Sequence, residues 1–235
     1  MEKQLILIPT YNERENVSAL IPELRNKFPE LDILVVDDSS PDGTSEVIRN
    51  FSNSDTRVNL LLRENKEGLG KALFSGYKYA VENGYQKIIQ MDADFSHPTE
   101  YIKDILDHLD SNTVVICSRY VRGGGSCNWP LPRIFLSWLA NFLTSILLTL
   151  SIKDATTGYR GFPSSFLKEF ISETPIASGY LIQVETVLKS LRLGYHIKEV
   201  PFIYQRRRGG ESKLDICEAF KSGWGLLRLR FKRYN

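Results

Sequence analysis

Five short apolar runs rich in Ile, Leu and Val alternate with segments of helical period in the first half of this chain, and that alternation leaves few folds open. The runs are Leu5–Pro9, Ile33–Asp37, Val58–Leu62, Lys87–Met91 and Val114–Ser118. The helical patterns fall at about Glu15–Lys27, Thr44–Phe51, Gly70–Glu82 and Thr99–Leu109. Runs of this length bounded by polar residues read as buried strands, and strands joined through single helices pair in parallel. The pattern predicts an α/β fold, a mainly parallel sheet flanked by helices, with ligands at the carboxyl ends of the strands. A length of 235 residues supports a sizeable core. No repeat, low-complexity tract or change of composition marks a linker, so one domain is expected over residues 1–235.

The polar motifs sit where that architecture gathers ligands. Pro9-Thr-Tyr-Asn-Glu13 follows the first run, Asp37-Asp-Ser-Ser-Pro-Asp42 the second and Asp92-Ala-Asp94 the fourth. A strand leaving for its loop sends Asp92 and Asp94 to the same side. Two hard oxygen donors with an incomplete shell suit Mg²⁺ or Mn²⁺ shared with a diphosphate. D-x-D alone is weak in a chain with 28 acidic residues; three acidic loops converging on one crevice are far more specific. Gly68-Leu-Gly70 resembles a dinucleotide fingerprint, but position 73 is leucine and the site does not follow the first strand. It reads instead as a tight turn at a helix start.

The net charge of +2 hides an asymmetry, because Gln205–Asn235 holds nine Lys/Arg against three Asp/Glu. A basic tail implies an anionic partner: nucleotide phosphate, lipid headgroup or nucleic acid. The aromatics do not interleave with the charges as a base-stacking platform would, so no nucleic-acid partner is expected. Cys117, Cys127 and Cys217 are odd in number and lack C-x-x-C spacing, which fits reduced thiols. No signal peptide is expected, since a strand begins at Gln4. Ile134–Leu150 is apolar and uncharged, at the short edge of a membrane span. Ser137, Asn141, Thr144, Ser145 and Thr149 share one helical face, and Phe135, Trp138, Leu139, Phe142, Ile146 and Leu150 the other. An amphipathic helix lying on a membrane fits better than a spanning one, with a helix buried against the sheet as the competing reading. Its place after Gly123-Gly-Gly125 favours a mobile element.

Together these segments resemble the family 2 glycosyltransferases of the GT-A fold and, within them, the dolichyl-phosphate (polyprenyl-phosphate) mannose synthases. The matching stretches are Pro9-Thr-Tyr-Asn-Glu-Arg-Glu-Asn16, Val36-Asp-Asp-Ser-Ser-Pro-Asp-Gly-Thr44, Met91-Asp-Ala-Asp-Phe-Ser-His-Pro98, Ser118-Arg-Tyr120, Asp154-Ala-Thr-Thr-Gly-Tyr-Arg160, Val200-Pro201 and Gly210-Glu-Ser-Lys213. The resemblance implies a GT-A (Rossmann-like) sheet with an amphipathic interface helix after a long acceptor loop. Residues 1–120 would form the nucleotide-sugar half and 121–235 the acceptor half. It implies that Pro9, Tyr11, Glu13, Val36 and Asp38 contact the nucleotide, and that Asp92, Ala93 and Asp94 hold metal and diphosphate. Arg207 and Lys213 would close over the diphosphate. Arg119, Arg133 and Ser137 would hold the acceptor phosphate, Arg119 also lying against the donor, and Asp94, Arg119 and Arg133 would carry catalysis. Asp154 would lie near sugar or acceptor. Ser96 departs from relatives that place a glutamine as third metal ligand, since a serine coordinates weakly or through water.

The implied reaction is inverting transfer of mannose from GDP-mannose to a dolichyl or polyprenyl phosphate, with Mg²⁺ or Mn²⁺. Alternatives are a UDP-glucose or UDP-N-acetylglucosamine donor on the same fold, or a non-catalytic nucleotide- or lipid-binding subunit. The implied setting is peripheral, on the cytoplasmic face of a membrane, without a transmembrane segment, where a small membrane-embedded partner could assist.

Overall fold

The structure, a computed structural model, describes residues 2–175, 179–207 and 225–231. The first half follows the alternation closely. The strands are β1 (Gln4–Thr10), β2 (Asp32–Asp37), β3 (Val58–Leu62), β4 (Lys87–Gln90) and β5 (Thr113–Ser118). The helices between them are α1 (Arg14–Lys27), α2 (Thr44–Ser54), α3 (Leu69–Glu82) and, after one 3₁₀ turn, α4 (Ile102–His108). The second half adds β6 (Gly125–Ser126), α5 (Leu131–Leu148), β7 (Arg160–Pro163), α6 (Ser164–Ile171), α7 (Leu181–Arg192), β8 (His196–Pro201) and β9 (Ile203–Tyr204).

Among the described residues seven strands form one sheet in the order β3-β2-β1-β4-β7-β5-β8. All neighbours run parallel except β7, which is antiparallel to both β4 and β5. The chain moves outward from β1 to β3 and then returns to the other side of β1 as β4, so the order reverses between β1 and β4. Ligands of open α/β sheets bind at such a reversal.

Side-chain alternation along the strands divides the core into two layers. Leu5, Leu7, Leu34, Val36 and Ile88 face α3, α6 and α7. Ile6, Ile8, Ile33, Val35 and Ile89 face α1, α2 and α4. At Gly76 of α3 a Cβ would lie 2.4 Å from Leu7 Cδ1, so only glycine lets this helix sit down on β1.

The helix α5 is turned the other way round. Asn141 and Thr144 are 2% and 4% exposed, whereas Phe135 and Ile146 are each 62% exposed and Leu131 81%. Leu136, Trp138, Phe142 and Leu143 continue the outward apolar stripe, with Trp138 stacked on Phe142. Among the described residues α5 is the helix long and apolar enough to cross a membrane by length and composition. The helix lying buried against the sheet is therefore overturned. Two details of the sequence reading also change. The helix stops at Leu148, with Thr149 in the left-handed conformation, and Leu150 is buried in the core instead of continuing the stripe.

The loop before α5 is tethered where the glycine run suggested mobility. Gly125 and Ser126 pair with Ile203 and Tyr204. At Gly124 a Cβ would meet the Ser118 carbonyl oxygen at 2.4 Å, so the glycine permits the loop to close onto the end of β5.

Candidate active site

The loops after β1, β2 and β4 meet at the reversal, and each contains one non-glycine residue at positive φ: Asn12 (59°), Ser39 (61°) and Phe95 (61°). Such residues cost on the order of 1–3 kcal/mol and persist where surrounding bonds hold them. Here the bonds are visible. Asp37 accepts from Thr10 Oγ1 at 3.0 Å and from the Ser40 amide at 3.0 Å, and Asn12 N–H donates to Ser40 Oγ at 2.9 Å. Asp94 Oδ1 accepts the Ser96 amide at 3.0 Å.

Glu13, Asp92 and Asp94 converge on Arg207. Its Nε lies 2.7 Å from Asp94 Oδ2 and also reaches the Tyr204 hydroxyl at 3.3 Å. Burial raises the Glu13 pKa, and the Asp94 and Asp92 charges add to it. Burial likewise raises Asp92, with Asp94 adding and His97 opposing. Burial works against the Arg207 charge, but Tyr204 and Asp94 outweigh it and hold its pKa above the ordinary value. Three carboxylates around one guanidinium leave excess negative charge, which a divalent cation relieves.

The donor set fits such a cation. Ser96 Oγ is buried with no hydrogen-bond partner, beside two carboxylates two residues apart. Among the described residues no group of three His, Cys, Asp or Glu side chains has metal-binding placement, so this is no closed cage. An open oxygen set completed by a diphosphate suits Mg²⁺ or Mn²⁺. Gly158 helps keep the approach clear, since a Cβ there would lie 3.4 Å from Asp92 Oδ1.

The other sequence candidates are placed as follows. Pro9 and Tyr11 flank this crevice, with Lys66 Nζ 3.8 Å above the Tyr11 ring. The Val36 and Ala93 side chains lie in the core, so both can offer only backbone. Asp38 is paired with Arg63 and accepts the Glu67 and Gly68 amides, which makes it the anchor of the Gly68 turn that opens α3. Lys213 lies outside the described residues.

Arg119 is committed internally. Its Nε lies 2.7 Å from Asp154 Oδ2, and its Nη2 2.8 Å from Asp154 Oδ1 and 2.9 Å from Thr156 Oγ1. The Arg119 charge overcomes burial to lower the Asp154 pKa. Asp154 is thus the counter-charge of Arg119, and Nη1 is the guanidinium corner with no hydrogen bond among the described residues. Arg133 is open by comparison: its guanidinium stacks 4.3 Å over Trp129 and makes no ion pair among the described residues. Ser137, half-buried one turn further along α5, faces the same way as Asn141, whose amide accepts the Ala155 N–H at 2.9 Å and donates to Thr156 at 3.0 Å.

Three residues outside the sequence candidates join the two groups. The Tyr204 ring packs on Trp129 at 4.9 Å, on His97 at 6.0 Å and 5.8 Å from the Arg119 guanidinium. An aromatic path therefore runs from Arg133 through Trp129 and Tyr204 to His97 and the D-x-D loop. Trp129 and Tyr204 are 75 positions apart and no local period links them; His97 lies within a quoted motif, so its nearness to Asp92 was the one available signal.

Comparison with known proteins decides the family. The sequence model of Glycosyl transferase family 2 matches residues 5–171. The chain belongs to glycosyltransferase family 2. Within this family it is 39% identical over 227 residues to an undecaprenyl-phosphate mannosyltransferase of Micrococcus luteus, covering 94% of this chain and 93% of that protein. It is 37% identical over 232 residues to a polyprenol monophosphomannose synthase of Mycolicibacterium smegmatis, covering 96% and 88%. Among solved structures it resembles glucosyl-3-phosphoglycerate synthase of Mycobacterium tuberculosis with UDP, at TM-score 0.71, 17% identity and coverage of 100% and 82%. It also resembles a mannosyltransferase of Pyrobaculum calidifontis in complex with GDP-mannose and Mn²⁺, at TM-score 0.62, 18% identity and coverage of 89% and 58%. The fold of this family 2 glycosyltransferase is GT-A.

Proposed function

We propose that this glycosyltransferase moves mannose from GDP-mannose to a dolichyl or polyprenyl phosphate with inversion, giving a β-linked mannosyl phosphate lipid. One observation carries the reading: a continuous path of contacts joins the carboxylate–arginine cluster to a helix whose apolar face points outward. A soluble acceptor requires no such helix, and the names of the relatives agree.

Residues 1–120 supply the donor half. Pro9, Tyr11 and Glu13 meet the nucleotide, Val36 and Ala93 through backbone, and Asp38 by fixing the Gly68 turn. Asp92, Asp94 and Ser96 would hold Mg²⁺ or Mn²⁺, which neutralises the leaving diphosphate. Arg207 turns from Asp94 toward the diphosphate, the role that the family resemblance also gives to Lys213. Residues 121–235 supply the acceptor half, where Arg133 and Ser137, joined by Arg119 Nη1 from the end of the first half, orient the acceptor phosphate. A phosphate oxygen attacks the anomeric carbon as the bond to the nucleoside diphosphate breaks. A phosphate monoester, with a second pKa of about 6, is already ionised near neutral pH, so no strong general base is needed. The protein is placed peripherally on the cytoplasmic face of a membrane, its α5 stripe sunk among the lipid chains.

The test offers GDP-mannose, UDP-glucose and UDP-N-acetylglucosamine separately with detergent-dispersed polyprenyl phosphate and Mn²⁺, and identifies lipid products by mass spectrometry. Product from GDP-mannose alone is expected. Product from a UDP sugar instead would keep the mechanism and overturn the donor.

A further inference from the structure

His97 has no part in the roles assigned so far, yet it is the residue most tightly built around Asp92. The Asp92 backbone N–H donates to His97 Nδ1 at 2.9 Å, so Nδ1 carries a lone pair and Nε2 carries the hydrogen of the neutral ring. That Nε2 lies 3.8 Å from Asp92 Oδ2. One imidazole therefore faces both the amide and the carboxylate of the same residue.

The ring itself is held from three directions. Tyr159 stacks on it at 4.9 Å, nearly parallel, while Phe202 and Tyr204 present their edges at 6.0 Å. Tyr159 is fixed in turn by its hydroxyl donating to the Pro98 carbonyl at 2.8 Å, and Tyr204 by Arg207, which reaches Asp94. His97 is 2% exposed. A residue that merely filled this aromatic box would be apolar, because an imidazole buried there carries a desolvation cost that only a specific hydrogen bond offsets.

We propose that His97 is a positioning residue that sets the attitude of Asp92 toward the cation, acting through its Nδ1 acceptor and not through its bulk. The proposal rests on the reading of Asp92 and Asp94 as cation-holding residues. Partners of ligating carboxylates commonly change metal affinity by roughly 10–100-fold when removed.

Two substitutions separate acceptor from bulk. His97→Phe keeps an aromatic ring in the box and removes the acceptor. His97→Asn removes the ring but places Oδ1, attached to Cγ as Nδ1 is, where it can accept the Asp92 N–H. Binding of Mn²⁺ in the presence of a fixed concentration of GDP is followed by the electron paramagnetic resonance signal of the free ion, against a protein-free control, and folding by thermal melting. The expected result is an affinity about 10–100-fold weaker in His97→Phe and within about threefold of the parent in His97→Asn, although the latter loses more packing. An affinity in His97→Phe within twofold of the parent overturns the proposal. So does an affinity that simply tracks melting temperature across the two variants, which marks a packing role only. Failure of the unsubstituted protein to bind Mn²⁺ even with GDP present would instead remove the cation reading itself, and the proposal with it.

Discussion

The strand-end crevice and the α5 helix are built from the same kinds of residue with inside and outside exchanged. In the crevice half, apolar strand residues are buried and the carboxylates gather at strand ends. On α5, Asn141 and Thr144 point inward while Phe135, Trp138, Phe142 and Ile146 point out. The difference teaches that amphipathic period fixes a helix but not which face is the interior. That choice depends on what the inner face can bond. Asn141 finds Ala155 and Thr156, so its amide is satisfied where burial would otherwise cost 1–3 kcal/mol.

The comparison can be broken most sharply at Asp94. Asp94→Asn is expected to lower transfer by about 10³-fold or more, because charge stabilisation of the leaving group is lost, while the melting temperature stays near that of the parent. Product formation checks it, and a loss of only a few-fold would remove Asp94 from the crevice chemistry.

The next effect belongs to the junction of the two regions. Asp154→Ala strands the buried Arg119 charge and should cost about 3–5 kcal/mol in denaturant unfolding. The pair also has a defined pH window. The folded pKa of Asp154 is depressed below its ordinary value of 3.8, so its contribution is complete above that value and is lost as pH falls through the depressed one. The stability difference between the parent and Asp154→Ala should therefore be level at neutral pH and shrink only in strong acid. A difference that vanishes near pH 6 would point to another group.

On α5, Trp138→Ser with Phe142→Ser should weaken binding to vesicles containing anionic lipid by roughly 100-fold or more, at about 1.5–3 kcal/mol per buried side chain. Folding should be unaffected, since both residues are exposed. Flotation with vesicles measures it, and unchanged partition would mean that the stripe faces something other than lipid. The smallest effect is expected at Ser96. Its hydroxyl has no partner, so Ser96→Ala should leave stability unchanged, and a several-fold loss of Mn²⁺ affinity would assign the oxygen to the cation.

What the sequence revealed follows from the range of the forces involved. Local period placed β1–β5 and α1–α4 within a few residues, and the strand-end loops with them. β7 carries no alternation in Arg160-Gly-Phe-Pro163, and its insertion between β4 and β5 is a long-range pairing that no period announces. The Asp154 partner of Arg119 lies 35 positions away, so the motif suggested a free phosphate fork where the structure has a bonded one. Arg160 is similar. It is wholly buried against the carbonyls of Ala155, Thr157 and Gln183, and burial lowers its pKa to about 10, a structural use that its place in a motif concealed.

The position of β7 also bears on how the chain is made. As residues leave the ribosome, β1–β4 can assemble from local βα units, but the far edge of β4 has no neighbour until Arg160–Pro163 arrives some seventy residues later. β5 cannot fill that gap, because β7 lies between the two strands in the finished sheet. Once Leu131–Leu148 has been made, the nascent chain displays the unpaired edge of Lys87–Gln90 together with the apolar stripe of α5 until β7 arrives, and both invite association with other chains. Synthesis close to a lipid surface would shelter the second while the first waits for its strand.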